Sequence, residues 1–251
     1  MLNATVVERI DITSELVVFH IKPDTAIPSF KPGQYVSLGL PGSAPRPADF
    51  PPEATPQSPD KLIKRAYSIG SSPSQGNYLE FYIAIAPTGA LTSRLYLLKA
   101  GDRVFMHNRI VGTFTLDDIP PDHNLVMVST GTGIAPYMSM LRTPETWAVG
   151  RKISLLHGVR FSRDLAYRDE LLQLQERNSN FRYYATVSRD DPEWDGEKGY
   201  VQQFFEPGRI DLDPKVDRVF ICGNPGMIEA VQKLLEPRGY TEHTRRSPGN
   251  L

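Results

Sequence analysis

Three short segments bring together residue types that suit one kind of chemistry. Arg65, Ala66, Tyr67 and Ser68 supply a cation, an aromatic face and a hydroxyl in succession, which is what a planar, phosphate-bearing ligand needs. Gly131-Thr132-Gly133-Ile134-Ala135-Pro136 follows the apolar run Val126-Met127-Val128, and Cys222-Gly223-Asn224-Pro225-Gly226-Met227 follows Val219-Phe220-Ile221. Both are glycine-bearing turns where a strand pattern gives way to a helical one, a place where backbone can approach a nucleotide phosphate closely. Each segment alone is a weak signal. By itself, the first reads more often as an ordinary barrel strand with a solvated arginine and a half-buried tyrosine.

Local detail sharpens each segment. If residues 66–70 form a strand, Arg65, Tyr67 and Ile69 point one way and Ser68 the other. In Gly89-Ala90-Leu91-Thr92-Ser93-Arg94-Leu95, Thr92 or Ser93 can cap a short helix whose first amides would suit a diphosphate. The turn at Gly131 departs from Gly-x-Gly-x-x-Gly because Ala135-Pro136 stands in place of the third glycine, and Pro136 suits a first helical turn. At the last turn Asn224 is the expected N-cap and Pro225 the first helical residue, with Met227, Ile228, Val231, Leu234 and Leu235 as a buried stripe. Cys222 has no base near it in sequence and reads as a buried thiol at a strand end. Arg160 ends the segment Leu155 to Val159, and Arg189 ends Ala185 to Ser188, both at the strand edge where open sheets bind ligands.

Two kinds of element must position these residues. Short strand-like runs at Leu16 to Ile21, Tyr35 to Leu40, Tyr67 to Ile69 and Leu79 to Ala86 are separated by Pro and Gly, which reads as an antiparallel barrel. From Asn124, apolar runs at Leu125 to Val128, Ile153 to Leu156, Tyr183 to Val187 and Val219 to Ile221 alternate with helical periods, which reads as a doubly wound parallel sheet. The expected domains are residues 1–118 and 119–251, joined across Asp117 to Asp122. Pro41 to Asp60, crowded with Pro, Ser, Ala and Asp, reads as an exposed loop that forms no packed element.

Composition bounds the partners. The 251 residues are 40% hydrophobic, enough for two cores, and 28 basic against 29 acidic side chains leave no global field for nucleic acid or anionic lipid. One cysteine excludes an internal disulfide and a cysteine-ligated iron-sulfur cluster built by this chain alone. The five histidines lack metal-ligand spacing, so no metal site is expected. With no apolar run near about 18 residues and no signal-like N-terminus, the expectation is a cytoplasmic, monomeric protein off the membrane.

From Val6 to Gly249 the chain resembles the ferredoxin-NADP+ reductase family, in particular its bacterial ferredoxin/flavodoxin branch. The resemblance implies FAD on the barrel domain, with Arg65 on the pyrophosphate, Tyr67 stacked on the isoalloxazine and Ser68 near flavin N5. Ala66 falls within the same motif, Tyr82, Ile83 and Ala84 take the adenosine half, and Ala90, Leu91, Thr92 and Ser93 the phosphates. It implies NADP(H) on the second domain, through Thr132, Asn224, Pro225 and Gly226, with Cys222 as a wall of the nicotinamide pocket. Ser68, Tyr67 and Cys222 form the expected catalytic set. Val159, Arg160, Ser188 and Arg189 match the 2'-phosphate site, and Lys198 is expected to replace an arginine that many relatives carry where this chain has Gly199-Tyr200. The implied activity is electron transfer between NADPH and ferredoxin or flavodoxin, with Lys61, Lys64, Arg94, Arg245 and Arg246 as candidates for a basic patch. Two alternatives stay open: an NADH-dependent reductase feeding an oxygenase, and a flavin-free nucleotide-binding regulatory module. Relatives usually continue past the equivalent of Gly249 to a final aromatic residue, whereas this sequence stops at Leu251, so less cover over the FAD is expected.

Overall fold

The computed structural model describes residues 1–53, 55–244 and 247–251. The chain forms two compact units, Met1–Leu116 with Ala135–Pro144, and Asp117–Ile134 with Glu145–Leu251. Arg245 and Arg246, two candidates for the basic patch, lie outside the described residues.

The first unit carries β1 (Ala4–Asp11), β2 (Leu16–Pro23), β3 (Tyr35–Pro41), β4 (Leu62–Ser68), β5 (Leu79–Ala84) and β6 (Arg103–Met106). They pair antiparallel in the order β4-β3-β6-β1-β2-β5. Alternation drives the pairing: Val36, Leu38 and Leu40 of β3 point into a core with Ile63, Phe19, Ile21, Phe81 and Ile83. The ladder stays open between its outer strands β4 and β5, so the sheet is barrel-like without full closure. The segment leaving β4 bridges part of the gap, since Gly70 N donates to Glu80 O at 2.8 Å and Glu80 N donates to Ser71 Oγ at 3.1 Å. β4 therefore runs earlier than the expected 66–70, starting at Leu62, anchored by buried Ile63 and ended before Gly70 turns toward β5. Neither β1 nor β6 stands among the runs read from sequence. A bulge between Val6 and Glu8 breaks the alternation of β1, and β6 is four residues long.

The stretch Pro41 to Asp60 corrects an expectation. Its base is tied by Gly42 N to Lys61 O (2.8 Å) and Ser43 N to Pro59 O (2.9 Å). Ala44 and Phe50 pack on the first core, and the Phe50 ring lies 5.0 Å from that of Tyr96. Proline does deny it regular structure, but one aromatic and a few charged side chains dock it firmly. Helix α1 (Thr92–Leu95) lies in the same unit, as does α2 (Ala135–Leu141), all of whose residues are buried. The polar side chains of α2 and the turn after it explain that grouping. Ser139 Oγ donates to Ser71 O (2.7 Å), and Arg142 Nη1 reaches Gly70 O (3.0 Å) and Glu80 Oε1 (2.7 Å).

The second unit is a parallel sheet of β7 (Asn124–Thr130), β8 (Ile153–Val159), β9 (Phe181–Val187), β10 (Glu197–Lys198) and β11 (Asp217–Cys222), in the order β10-β9-β8-β7-β11. Helices α3 (Arg168–Arg177) and α4 (Pro225–Leu235) accompany it. The continuous apolar run of β7 is what burial on both faces demands. Val126, Val128, Leu156 and Val219 pack with Phe204, Phe205, Val231, Leu235 and Tyr240. Within the expected α4 stripe Met227, Val231 and Leu235 are buried, whereas Leu234 is 39% exposed because it falls off the inward face. Among the described residues no helix is long and apolar enough to cross a membrane.

Candidate functional site

In the first unit the candidate residues lie along edge strand β4. Arg65 and Tyr67 sit opposite Leu38 and Val36 of β3, so they share one face, with Ala66 and Ser68 on the other. Arg65 is exposed, donates to the Lys64 carbonyl at 2.8 Å, and pairs with no carboxylate among the described residues. Half-buried Tyr67 packs on the first core. Burial pushes its phenol up to about 12, partly offset by the Arg65 charge, so its ring is a neutral face at physiological pH. Ser68 ends the strand half-buried. On β5, Tyr82 and Ile83 are buried and Ala84 is exposed.

The segment after β5 departs from the expected cap. The N-cap of α1 is Leu91, in helical conformation and without a side-chain cap, and the amides of Ser93, Arg94 and Leu95 already bond to Gly89 and Leu91 carbonyls. Thr92 Oγ1 instead spans Ala86, donating to its carbonyl (3.0 Å) and accepting from its amide (3.2 Å). Ser93 Oγ is buried, donates to Gly89 O (2.6 Å) and accepts from Arg46 Nε (2.9 Å). Half-buried Ala90 and buried Leu91 complete the turn. Arg94, expected on a surface patch, is 5% exposed and ion-paired with Glu53, because its guanidinium serves the loop and not solvent. Lys61 and Lys64 are exposed.

In the second unit the two glycine turns interlock. β7 and β11 are parallel neighbours with Ser129 opposite Cys222, so both turns leave the same sheet edge. A Cβ on Gly133 would lie 2.3 Å from Cys222 O and 2.7 Å from Gly223 Cα. Gly223 has φ +149, and a Cβ there would meet Thr130 Oγ1 at 2.3 Å. The same Thr130 hydroxyl accepts from Asn224 N at 2.9 Å. Asn224 Oδ1 then caps α4 by accepting from Gly226 N (2.8 Å), with Pro225 as first helical residue. Gly131 has φ +53, and nothing lies within 4 Å of where its Cβ would be. Thr132 beside it is half-buried, while Asn224, Pro225 and Gly226 are exposed. Burial pushes the Cys222 thiol up to about 11, which keeps it protonated and a poor nucleophile at neutral pH.

His157 belongs to this site and was not singled out from sequence as part of it. Burial lowers its pKa to about 4, only partly offset by the Gly131 backbone, so the ring is neutral. Nε2 donates to Gly131 O at 3.2 Å and Nδ1 accepts from Tyr183 Oη at 3.3 Å. It pins the first glycine turn from the neighbouring strand. The available signal was its place one residue before Gly158, on a strand beside the turn.

The cations meet at the same edge. Buried Val159 accepts from Ser188 N (3.0 Å) and Ser188 Oγ (3.1 Å), and Arg189 N donates to Arg160 O (3.0 Å). Lys198 stands beside Val187 in register, and Gly199 N donates to Val187 O at 2.8 Å. Arg160, Arg189 and Lys198 are exposed, and none pairs with a carboxylate among the described residues. Buried Asp191 fastens the supporting loops by accepting from Ser162 N (2.6 Å) and Glu193 N (3.1 Å). The result is a fixed backbone presenting three cations, suited to a dianionic phosphate.

The chain is similar to known proteins over most of its length. The model of the oxidoreductase NAD-binding domain matches residues 127–233. The ferredoxin–NADP reductase of Pseudomonas aeruginosa is 34% identical over 222 residues, covering 84% of this chain and 80% of the relative. The flavodoxin/ferredoxin–NADP reductase of Buchnera aphidicola subsp. Baizongia pistaciae is 30% identical over 242 residues, covering 93% and 90%. Among solved structures, a ferredoxin NADP+ reductase from Neisseria gonorrhoeae with bound FAD and NADP superposes with a TM-score of 0.84 at 26% identity, covering 99% of this chain and 95% of that one. With relatives of that identity matched over most of their length, and the glycine turns and strand-end cations in place, the chain belongs to the ferredoxin–NADP reductase family of oxidoreductases.

Proposed function

We propose that this chain transfers electrons between NADPH and ferredoxin or flavodoxin, with FAD as its bound redox group. When bound, FAD supplies the chemistry that reconciles a two-electron hydride donor with a one-electron carrier. The donor set of each unit suits its group. In the first unit, Arg65, which pairs with no carboxylate among the described residues, is available to the diphosphate, the neutral ring of Tyr67 offers a stacking face, and Ser68 a hydroxyl for the flavin N5 region. Ala66, Tyr82, Ile83, Ala84 and the Ala90 to Ser93 turn complete the FAD side. In the second unit, the open space over Gly131 and the close packing at Gly133 leave a backbone cradle that side chains would fill. Thr132, Asn224, Pro225 and Gly226 serve the nicotinamide nucleotide there, with the protonated thiol of Cys222 as an apolar wall.

The observation that carries the choice of NADPH is the cluster of Arg160, Ser188, Arg189 and Lys198 beside Val159. NADPH differs from NADH by one phosphate, and among the described residues none of the three cations pairs with a carboxylate. Replacing both arginines, Arg160→Ala and Arg189→Ala, should raise KM for NADPH by about tenfold to a hundredfold per lost charge-assisted contact and leave NADH use nearly unchanged. Equal losses with both nucleotides would assign the arginines to the fold, and efficient NADH use by the unaltered chain would favour a reductase that feeds an oxygenase. Exposed Lys61 and Lys64, the latter 5.9 Å from the Phe105 ring centre, offer an acidic carrier a local positive surface.

A further inference from the structure

The docked loop between β3 and β4 brings two guanidinium groups onto one carboxylate. Glu53 Oε1 is bonded to Arg94 Nη1 and lies 3.7 Å from Arg46 Nε, and the Glu53 side chain is 9% exposed. Among the described residues Glu53 is the one carboxylate paired with either arginine. Arg94 also donates to Ala90 O (2.6 Å) and Gly42 O (2.7 Å), yet its Nε is buried with no hydrogen-bond partner. Arg46 is spread over Ser93 Oγ (2.9 Å), Pro51 O (2.8 Å) and Pro87 O (2.9 Å). Two cations thus share a single negative group supplied by a loop, one of them held by a buried hydroxyl and the other carrying an orphaned donor.

We propose that Glu53 is a displaceable plug in a diphosphate subsite, and that Arg46 and Arg94 hold the FAD diphosphate once the Glu53 carboxylate withdraws. The inference rests on the reading of this unit as the FAD-binding unit, and it deepens that reading by adding two cationic ligands and a competing group. Its physical basis is charge balance. Removing Glu53 alone leaves two guanidinium groups in a largely buried site without a counter-charge, whereas a diphosphate restores the charge and offers more acceptor oxygens, including one for Arg94 Nε. The carboxylate is an effective competitor because the Arg94 hydrogen bond, together with the charges of Arg94 and Arg46, holds its pKa below the usual glutamate range. The loop can leave without unravelling a sheet, since its contacts are side-chain ones above a base tied at Gly42 and Ser43.

The test measures equilibrium binding of FAD, inorganic pyrophosphate and riboflavin to the full chain stripped of flavin, by flavin fluorescence and calorimetry. Glu53→Gln should tighten FAD and pyrophosphate by about tenfold, and Arg46→Ala should weaken both by about tenfold, with riboflavin unchanged because it has no phosphate. Unchanged or weaker FAD binding by a folded Glu53→Gln protein overturns the proposal and makes Glu53 a permanent counter-ion. Should that variant fail to fold, Arg46→Ala decides alone, and wild-type affinity for FAD and pyrophosphate in it overturns the proposal equally. The reading it rests on fails differently: the unaltered chain would then bind no FAD, while the pyrophosphate comparison would still report on the subsite.

Discussion

Gly133 has no room for a side chain, because a Cβ would sit 2.3 Å from Cys222 O, a backbone atom that cannot swing aside. Gly133→Ala should therefore shift the urea midpoint by the equivalent of about 1 to 3 kcal/mol and weaken NADPH and NADH alike. A midpoint and nucleotide affinities equal to wild type would mean the two turns do not support each other. His157 makes a prediction with a definite sign. Its folded pKa of about 4 lies below the ordinary 6.5, so unfolding takes up a proton between those values and stability falls as pH drops through that window. His157→Gln should flatten this acid-side fall in melting temperature, and an unaltered fall would show that the ring is not held neutral. Residue chemistry at the second glycine turn was legible in sequence, since the N-cap of Asn224 and the helix start at Pro225 follow from residue type alone. The role of His157 was not, because it depends on two strands lying side by side.

At the scale of elements, pattern succeeded where the environment is simple. The apolar runs of β7, β8, β9 and β11 are all strands, whereas β1 was obscured by its bulge and the N-cap of α1 by Thr92 and Ser93 turning their hydroxyls to Ala86 and Gly89. The packing of the Pro41 to Asp60 loop could not be read locally, since it rests on Arg46, Phe50 and Glu53 finding partners at Ser93, Tyr96 and Arg94, 41 to 47 residues away. A second long-range cluster joins β1, β2, β5 and the turn after α2. His20 Nδ1 meets Glu8 (2.8 Å), Nε2 meets Glu80 (3.1 Å), Glu80 meets Arg142, and the His20 ring stacks on Tyr78 at 4.0 Å. Burial alone would lower the His20 pKa, but hydrogen bonds and charges from Glu80 and Glu8 outweigh it and raise the value above 6.5. The contribution is thus fully present below about pH 6.5 and lost as pH rises through the raised value. Wild type should melt above His20→Gln at pH 6, with the gap closing at higher pH, and a gap that widens with pH would reverse the assignment. Capping belongs to this scale too. Asn224→Ala removes the acceptor of Gly226 N and should destabilise the second unit by about 1 kcal/mol, read as a lower melting temperature without nucleotide.

As a whole molecule, the chain carries an antiparallel unit suited to FAD and a parallel α/β unit suited to NADPH. Fold class was readable because the change from short alternating strands to apolar runs separated by helical periods occurs once along the chain. The assignment of α2 to the first unit was not readable, since a helix buried on every side does not show in sequence which unit supplies the partners of Ser139 and, just after it, Arg142. The most direct test of the central claim is the visible absorption spectrum of the purified chain, supplied with FAD and titrated anaerobically with NADPH before ferredoxin or flavodoxin is added. The account predicts oxidised-flavin bands retained after desalting, bleached by NADPH at concentrations where NADH has little effect, and restored as the carrier is reduced. A chain that takes up no FAD, or holds FAD that NADPH leaves oxidised, would contradict it.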